Sequence, residues 1–352
     1  MTDETNEVKD TSAEVKEDTK KVKKKVYKLK TWPKVLVVIL ILAGFGIYYA
    51  NIKHQEYLYT QTYEYKFTQI GYSEDEIKIL LDKLDDDKLE IILNREYNEF
   101  IPMFIQTKYF LFKNLDEYLT QVVTQDQDFF KYKGVDGYNY DDIVALVNVH
   151  AEEPFYTKSA NTDMDKGMAI ITNKYFKLDS KYVPDDLVSI PVTYRYGDEK
   201  KIRSEVYEAF VEMFEAAKAD GHYLLVESAF RSYDKQVQVY KQYENQKGTK
   251  YADGIAARPG FSEHQTGLSL DIFAKECYQQ STFKDSKAYA WLIANSYKYG
   301  FILRYPEGKD NLTGYKYESW HYRYIGKDLA KKVHDSGLTY DEYYAYYIEG
   351  DN

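Results

Sequence analysis

His264 and Asp271 stand seven residues apart in the run from Ser262 to Asp271, and Glu318-Ser-Trp-His321 follows about fifty residues later. Two imidazoles and one carboxylate form the protein ligand set of a catalytic zinc, whose fourth position is left to water. The metal brings that water's pKa near neutrality, and a nearby carboxylate takes its proton. We therefore expect His264, Asp271 and His321 to hold Zn2+, with Glu318 as the general base of a hydrolase. The chain has no His-Glu-x-x-His motif, so its zinc fold differs from that of the common zinc proteases.

Arg231 lies in Ser228-Ala-Phe-Arg-Ser-Tyr-Asp-Lys-Gln236, just after an apolar stretch. Its guanidinium suits either a substrate carboxylate or a developing oxyanion. Gln236 is a second candidate for substrate contact. Two Ser-x-x-Lys matches, Ser232 to Lys235 and Ser281 to Lys284, lack the Ser-Asp-Asn and Lys-Thr-Gly partners of serine peptidases. The single cysteine, Cys277, excludes an intramolecular disulfide and a thiolate zinc site.

Elements must bring these residues together. The spacing of Val206, Phe210, Met213, Phe214 and Ala217 predicts an amphipathic helix over 203–219, ended by Gly221. Residues 223–229 read as a buried strand, 233–243 as a helix, and 268–273 as a strand carrying Asp271. A helix over 288–299 stops at Gly300. Residues 301–304, 315–317 and 320–325 read as short strands, and 327–333 as a closing helix. Such a mixture indicates an α+β domain, a small antiparallel sheet with flanking helices holding one zinc.

Upstream, residues 35–52 are uncharged and mostly apolar, near the lower limit for a membrane span. Eight lysines and no acid lie between Lys20 and Lys34, which places that end in the cytoplasm. No Ala-x-Ala site follows, so we expect an uncleaved anchor rather than a signal peptide. The expected organisation is a disordered lysine-rich tail over 1–34, a transmembrane anchor over 35–52 and a helical spacer or accessory module over 53–150. A zinc domain over 151–340 and an acidic, tyrosine-rich tail over 341–352 complete it. Ser73-Glu-Asp-Glu76 is a capping-box pattern opening one of the spacer helices. The net charge of -10 argues against a nucleic-acid partner.

Residues 228–236, Pro259 to Gly267, Asp271-Ile272, Tyr299 to Pro306 and Thr313 to Gly326 together resemble the VanY-type D-alanyl-D-alanine carboxypeptidases. These are zinc peptidases of the group that includes lysostaphin-type enzymes and the hedgehog fold. The resemblance covers roughly residues 180–330. It implies zinc on His264, Asp271 and His321, Glu318 as base, Arg231 stabilising the transition state, and Ser262 and Gln236 touching substrate. Ser319 stands where the family usually has proline, and Ser269 where it often has alanine; neither replaces a functional residue. The resemblance implies peptidoglycan stem peptides as substrate, cut on the outer face of the plasma membrane. We expect removal of the terminal D-alanine as a D,D-carboxypeptidase, with L,D cleavage of tetrapeptide stems as the alternative, since the sequence does not fix which bond is cut. A catalytically silent wall-binding or sensing module is the alternative from another class.

Overall fold

The computed structural model describes residues 12–125 and 140–349. Two compact units divide between Asn98 and Glu99. In the first, one helix runs Ser12–Thr60 through both the lysine-rich and the apolar segments, where an unstructured tail was expected. The expected disorder of residues 1–11 lies outside the described residues. Helices Tyr63–Ile70, Glu74–Lys83 and Asp86–Leu93 follow and bury Phe67, Leu80, Leu89 and Ile92. The capping box forms as the sequence predicts: the Ser73 amide donates to Glu76 at 2.7 Å, and the Glu76 amide donates back to the Ser73 hydroxyl.

The second unit begins well before the boundary expected near residue 150. Helices Phe100–Ile105, Leu115–Gln125 and Tyr140–Asn148 pack around Phe104, Tyr118, Ile143, Val144 and Val147. Leu146 and Val149 then share a core with Leu312, Ala345 and Tyr346, which ties this segment to the end of the chain. Apolar burial, absent from a composition-based boundary, sets the division.

Strands β1 (Ala160–Asn161) and β2 (Phe176–Lys177) pair in parallel, and β3 (Leu187–Ser189) pairs antiparallel with β4 (Lys201–Arg203). The main sheet holds β5 (Leu224–Ser228), β6 (Ser269–Ala274), β7 (Phe301–Leu303) and β8 (His321–Tyr324). Its order is β5-β6-β8-β7 and every pairing is antiparallel, so the chain is a mixed helix-and-sheet protein. Successive side chains of a strand face opposite sides. Leu270, Ile272, Ala274, Tyr322 and Tyr324 thus share one face, buried with Val206, Phe210, Met213 and Phe214 of helix Ser204–Ala219. The opposite face carries Ser269, Asp271, His321 and Arg323. Asp271 pairs with His321 on one side and with Ser228 on the other, next to a register shift in β5. Such bulges re-aim side chains beside sites.

Two further expectations are corrected. Residues 315–317 form a loop, not a strand, because Tyr315 turns in to bury its ring. Residues 341–349 are not a tail. Helix Tyr340–Tyr347, opened by a Thr339–Glu342 capping box, buries Tyr340, Tyr344 and Tyr346, and it buries Asp341 as well. Tyrosine and acid read as solvent-facing by composition, yet the flat rings pack and the Asp341 charge is paired with Arg304.

Candidate functional site

Ser262 ends a loop, and the short turn Glu263–Thr266 delivers His264 before the chain re-enters β6. Gly267 makes that re-entry at φ 65°, and a Cβ there would lie 2.9 Å from the Arg203 side chain, so only glycine fits. His264 donates from Nδ1 to the Ala229 carbonyl at 2.8 Å, which leaves Nε2 unprotonated and 3.5 Å from Asp271. His321 directs Nε2–H at the Glu263 carboxylate, 3.3 Å away, and its Nδ1 lies 3.0 Å from Asp271. Each imidazole is therefore fixed on its far side, and this assigns the tautomer that binds a metal. Among the described residues, His264, Asp271 and His321 form the group whose ligand atoms all lie within 4.8 Å of one another. Two nitrogens and a carboxylate oxygen, backed in this way, fit zinc.

The electrostatics favour a cation. Burial would raise the Asp271 carboxyl, but His264 and His321 outweigh it and hold it well below the usual carboxylate range. Burial keeps His264 below its ordinary value. Burial also opposes charge on His321, yet its contacts with Asp271 and Glu263 prevail and attract positive charge to this point. A metal ion satisfies the same field. Glu318 Oε2 is 3.7 Å from His321 Nδ1. Burial, with the charges of Asp271 and Glu263 adding, pushes its carboxyl up to about 7.

These groups line one cleft of about 440 Å³, together with Arg231, Ser262, Tyr305, Tyr315, Tyr317 and Trp320. Val239, Tyr243 and Ile255 form an apolar wall. The cleft thus gathers every residue expected at the site except Gln236. Gln236 is buried behind Arg231: its Oε1 accepts from the guanidinium at 3.0 Å, and its Nε2 donates to the Ala257 carbonyl at 2.7 Å. Its amide is used on both sides, so it holds Arg231 rather than substrate. Ser228 accepts from the other terminal nitrogen of Arg231 at 2.9 Å.

Sequence reasoning missed Glu263. It is fully buried and accepts from Arg304 at 2.7 Å, Arg323 at 3.0 Å and the Ser269 hydroxyl at 3.1 Å, besides facing His321. Burial would raise its carboxyl, but the two guanidinium groups hold it well below the usual range. Strand alternation was the available signal, since Ser269 and Arg323 fall on the face of Asp271 and His321. Tyr305 was also missed; its ring lies 5.0 Å from that of His321.

Residues 199–327 match the family model of VanY, D-alanyl-D-alanine carboxypeptidase. The Bacillus subtilis protein YodJ is 39% identical over 49% of this chain, and the chain spans 66% of its length, just short of two thirds. The bifunctional D-Ala-D-Ala dipeptidase and carboxypeptidase VanXYC of Enterococcus gallinarum is 30% identical, matched over 50% of this chain and 93% of its own. The solved structure of the LD-carboxypeptidase LdcB is 38% identical, with a TM-score of 0.51 over 53% of this chain and 90% of that one. These matches fall on the stretch that builds the cleft, and the chain belongs to the VanY family of D-alanyl-D-alanine carboxypeptidases, a family of zinc metallopeptidases.

Proposed function

We propose that this protein is a zinc-dependent carboxypeptidase that removes the terminal D-alanine from peptidoglycan stem peptides, as a D,D-carboxypeptidase. The observation that carries this reading is the convergence of His264, Asp271 and His321 with Glu318 and Arg231 on one cleft. Zinc held by His264, Asp271 and His321 would supply Lewis-acid polarisation and acidify water at neutral pH. Glu318 takes a proton from the water that adds to the scissile carbonyl, and returns it to the departing amine as the C–N bond breaks. Arg231, held by Ser228 and Gln236, presents a fixed guanidinium to the anionic oxygen or to the terminal carboxylate. Ser262 contacts the peptide at the cleft. The helix portion Trp32–Thr60 is long and apolar enough to cross a membrane; with the lysines before it, this supports an anchor whose catalytic unit faces outward.

A second reading, cleavage of the L,D bond of tetrapeptide stems, is supported by the likeness to LdcB. One digest tests both. The full chain in detergent is incubated with pentapeptide and tetrapeptide stems, with and without a strong chelator or penicillin, and products are weighed by mass spectrometry. Loss of one alanine from the pentapeptide, blocked by chelator and untouched by penicillin, is expected. Loss from the tetrapeptide alone favours the second reading, and no mass change from either stem sinks both.

A further inference from the structure

We propose that Asp341 is a positioning residue of the metal centre, acting on His321 through Arg304 and Glu263. The inference rests on the zinc reading above. Residue 341 lies outside the family-matched stretch, in the helix where composition suggests a tail. Its carboxylate accepts from both terminal nitrogens of Arg304, and from the Asn173 amide at 2.9 Å. Arg304 passes its Nε–H to Glu263 at 2.7 Å, and Glu263 meets His321 Nε2–H at 3.3 Å. Arg323 closes the group on Glu263. All four charged side chains are at most 2% exposed.

Two carboxylates and two guanidinium groups balance to zero charge, in an interior where water does not screen them. Removing the charge of Asp341 leaves one guanidinium uncompensated behind a metal ligand. That charge repels a divalent cation. It also draws the Glu263 carboxylate toward the two arginines and away from His321 Nε2–H, which releases the ring from the orientation that aims Nδ1 at Asp271. Both effects loosen zinc, although His264, Asp271 and His321 are themselves unchanged in sequence. Asn173, from the bend before β2, donates to the same Asp341 oxygen that accepts from Arg304 and is part of the same device.

The test measures zinc affinity of the full chain in detergent by competition with a chromophoric chelator, and follows thermal unfolding of the metal-free protein. Wild type must bind zinc first; failure there counts against the zinc reading itself. Asp341→Asn is expected to weaken zinc by about tenfold, the low end of the range for a group bonded directly to a ligand, because Asp341 acts through Arg304 and Glu263. The double variant Arg304→Met with Asp341→Asn restores neutrality and, since a buried ion pair can be exchanged for uncharged groups at little cost, recovers most of that affinity. Wild-type affinity in Asp341→Asn overturns the inference. Equal weakening in the single and double variants also overturns it, because loss of packing rather than charge would then be responsible. Where Asp341→Asn does not unfold cooperatively, Asn173→Ala takes its place. A loss of at least threefold in zinc affinity then supports the inference, and wild-type affinity overturns it.

Discussion

Glu318 and His321 share one turn of chain, but only the imidazole brings a ligand atom close to Asp271, with Nδ1 3.0 Å from its carboxylate, while Glu318 stands 3.7 Å from that nitrogen. Removing the Glu318 carboxylate therefore leaves the ligand set whole. Glu318→Gln is expected to keep zinc and to lower kcat by about 10²- to 10⁴-fold, the usual contribution of a general base; kinetics read beside metal content checks this. Gln236 gives a contrasting case. It touches Arg231 and not the cleft, so Gln236→Leu removes one charge-assisted bond and frees the guanidinium to turn. A fall of about 10- to 100-fold in kcat/KM follows from the 1.5–3 kcal/mol such bonds contribute, with zinc affinity unchanged. Parallel loss of zinc would show that Gln236 serves the ligands instead. The candidate residues were legible because they sit in the motifs by which the sequence resembles the family: His264, Asp271, Glu318, His321 and Arg231 meet in one cleft. Their supports were not. Glu263 looks like any acid beside a histidine, and its role exists only because Arg304 and Arg323 reach it from distant parts of the chain, with Ser269 joining from the start of β6.

Elements hold this cleft through packing that local sequence patterns register unevenly. Periodicity located helix Ser204–Ala219 and strands β5, β6 and β8 within a few residues, because each has an apolar side to bury. It failed for helix Tyr340–Tyr347, whose tyrosines and acids carry no apolar stripe, and for residues 315–317, where alternating tyrosines imitate a strand. The turn Ser296–Tyr299 into β7 shows the tolerance of such joints: Gly300 has φ 91°, and a Cβ there would stand 2.5 Å from the Tyr324 ring. Gly300→Ala is expected to cost about 1–3 kcal/mol from backbone strain alone, read as a lower midpoint in denaturant. Lys174 braces the cleft wall in another way. Its Nζ donates to the Asp253 carbonyl at 2.8 Å and sits over the Phe155 and Tyr315 rings. Burial lowers it to about 8, against about 10.4 in the unfolded chain. The unfolded state thus binds the extra proton between those values, and stability contributed at this site rises with pH across that window. Below about 8 both states are protonated and the full desolvation penalty stands. Wild type should therefore gain stability relative to Lys174→Met between pH 8 and 10. A difference between the two proteins that stays flat over that range contradicts this account of the brace.

At the scale of the whole molecule, the question is where the catalytic unit works, and the Ser12–Thr60 helix bears on it most directly. The apolar side chains from Val35 to Leu42 are about half exposed or more, as are Phe45, Ile47, Tyr48 and Tyr49. So much apolar surface in water is costly, at roughly 25 cal/mol per Å², and a bilayer removes it. Backbone polar groups raise no objection, because a helix satisfies them internally. Eight lysines between Lys20 and Lys34 lie before the apolar run, and positive charge is retained on the cytoplasmic side. Trp32 precedes the run, and Tyr48 and Tyr49 close it, the positions aromatic rings would take at the two interfaces if the helix spans a bilayer. The expected outcome is that the full chain, expressed in a Gram-positive host, stays in the membrane pellet through a carbonate wash. Protease added to intact protoplasts should then digest the catalytic unit and leave a protected fragment containing the lysine-rich segment. Release of a shortened chain into the medium, beginning after the apolar run, would mean the helix is a signal sequence; a fully protected catalytic unit would mean the orientation is reversed. Because stem peptides lie outside the membrane, the orientation test and the muropeptide digest constrain each other: an inward-facing cleft that cleaved stems in detergent would have no access to them in the cell.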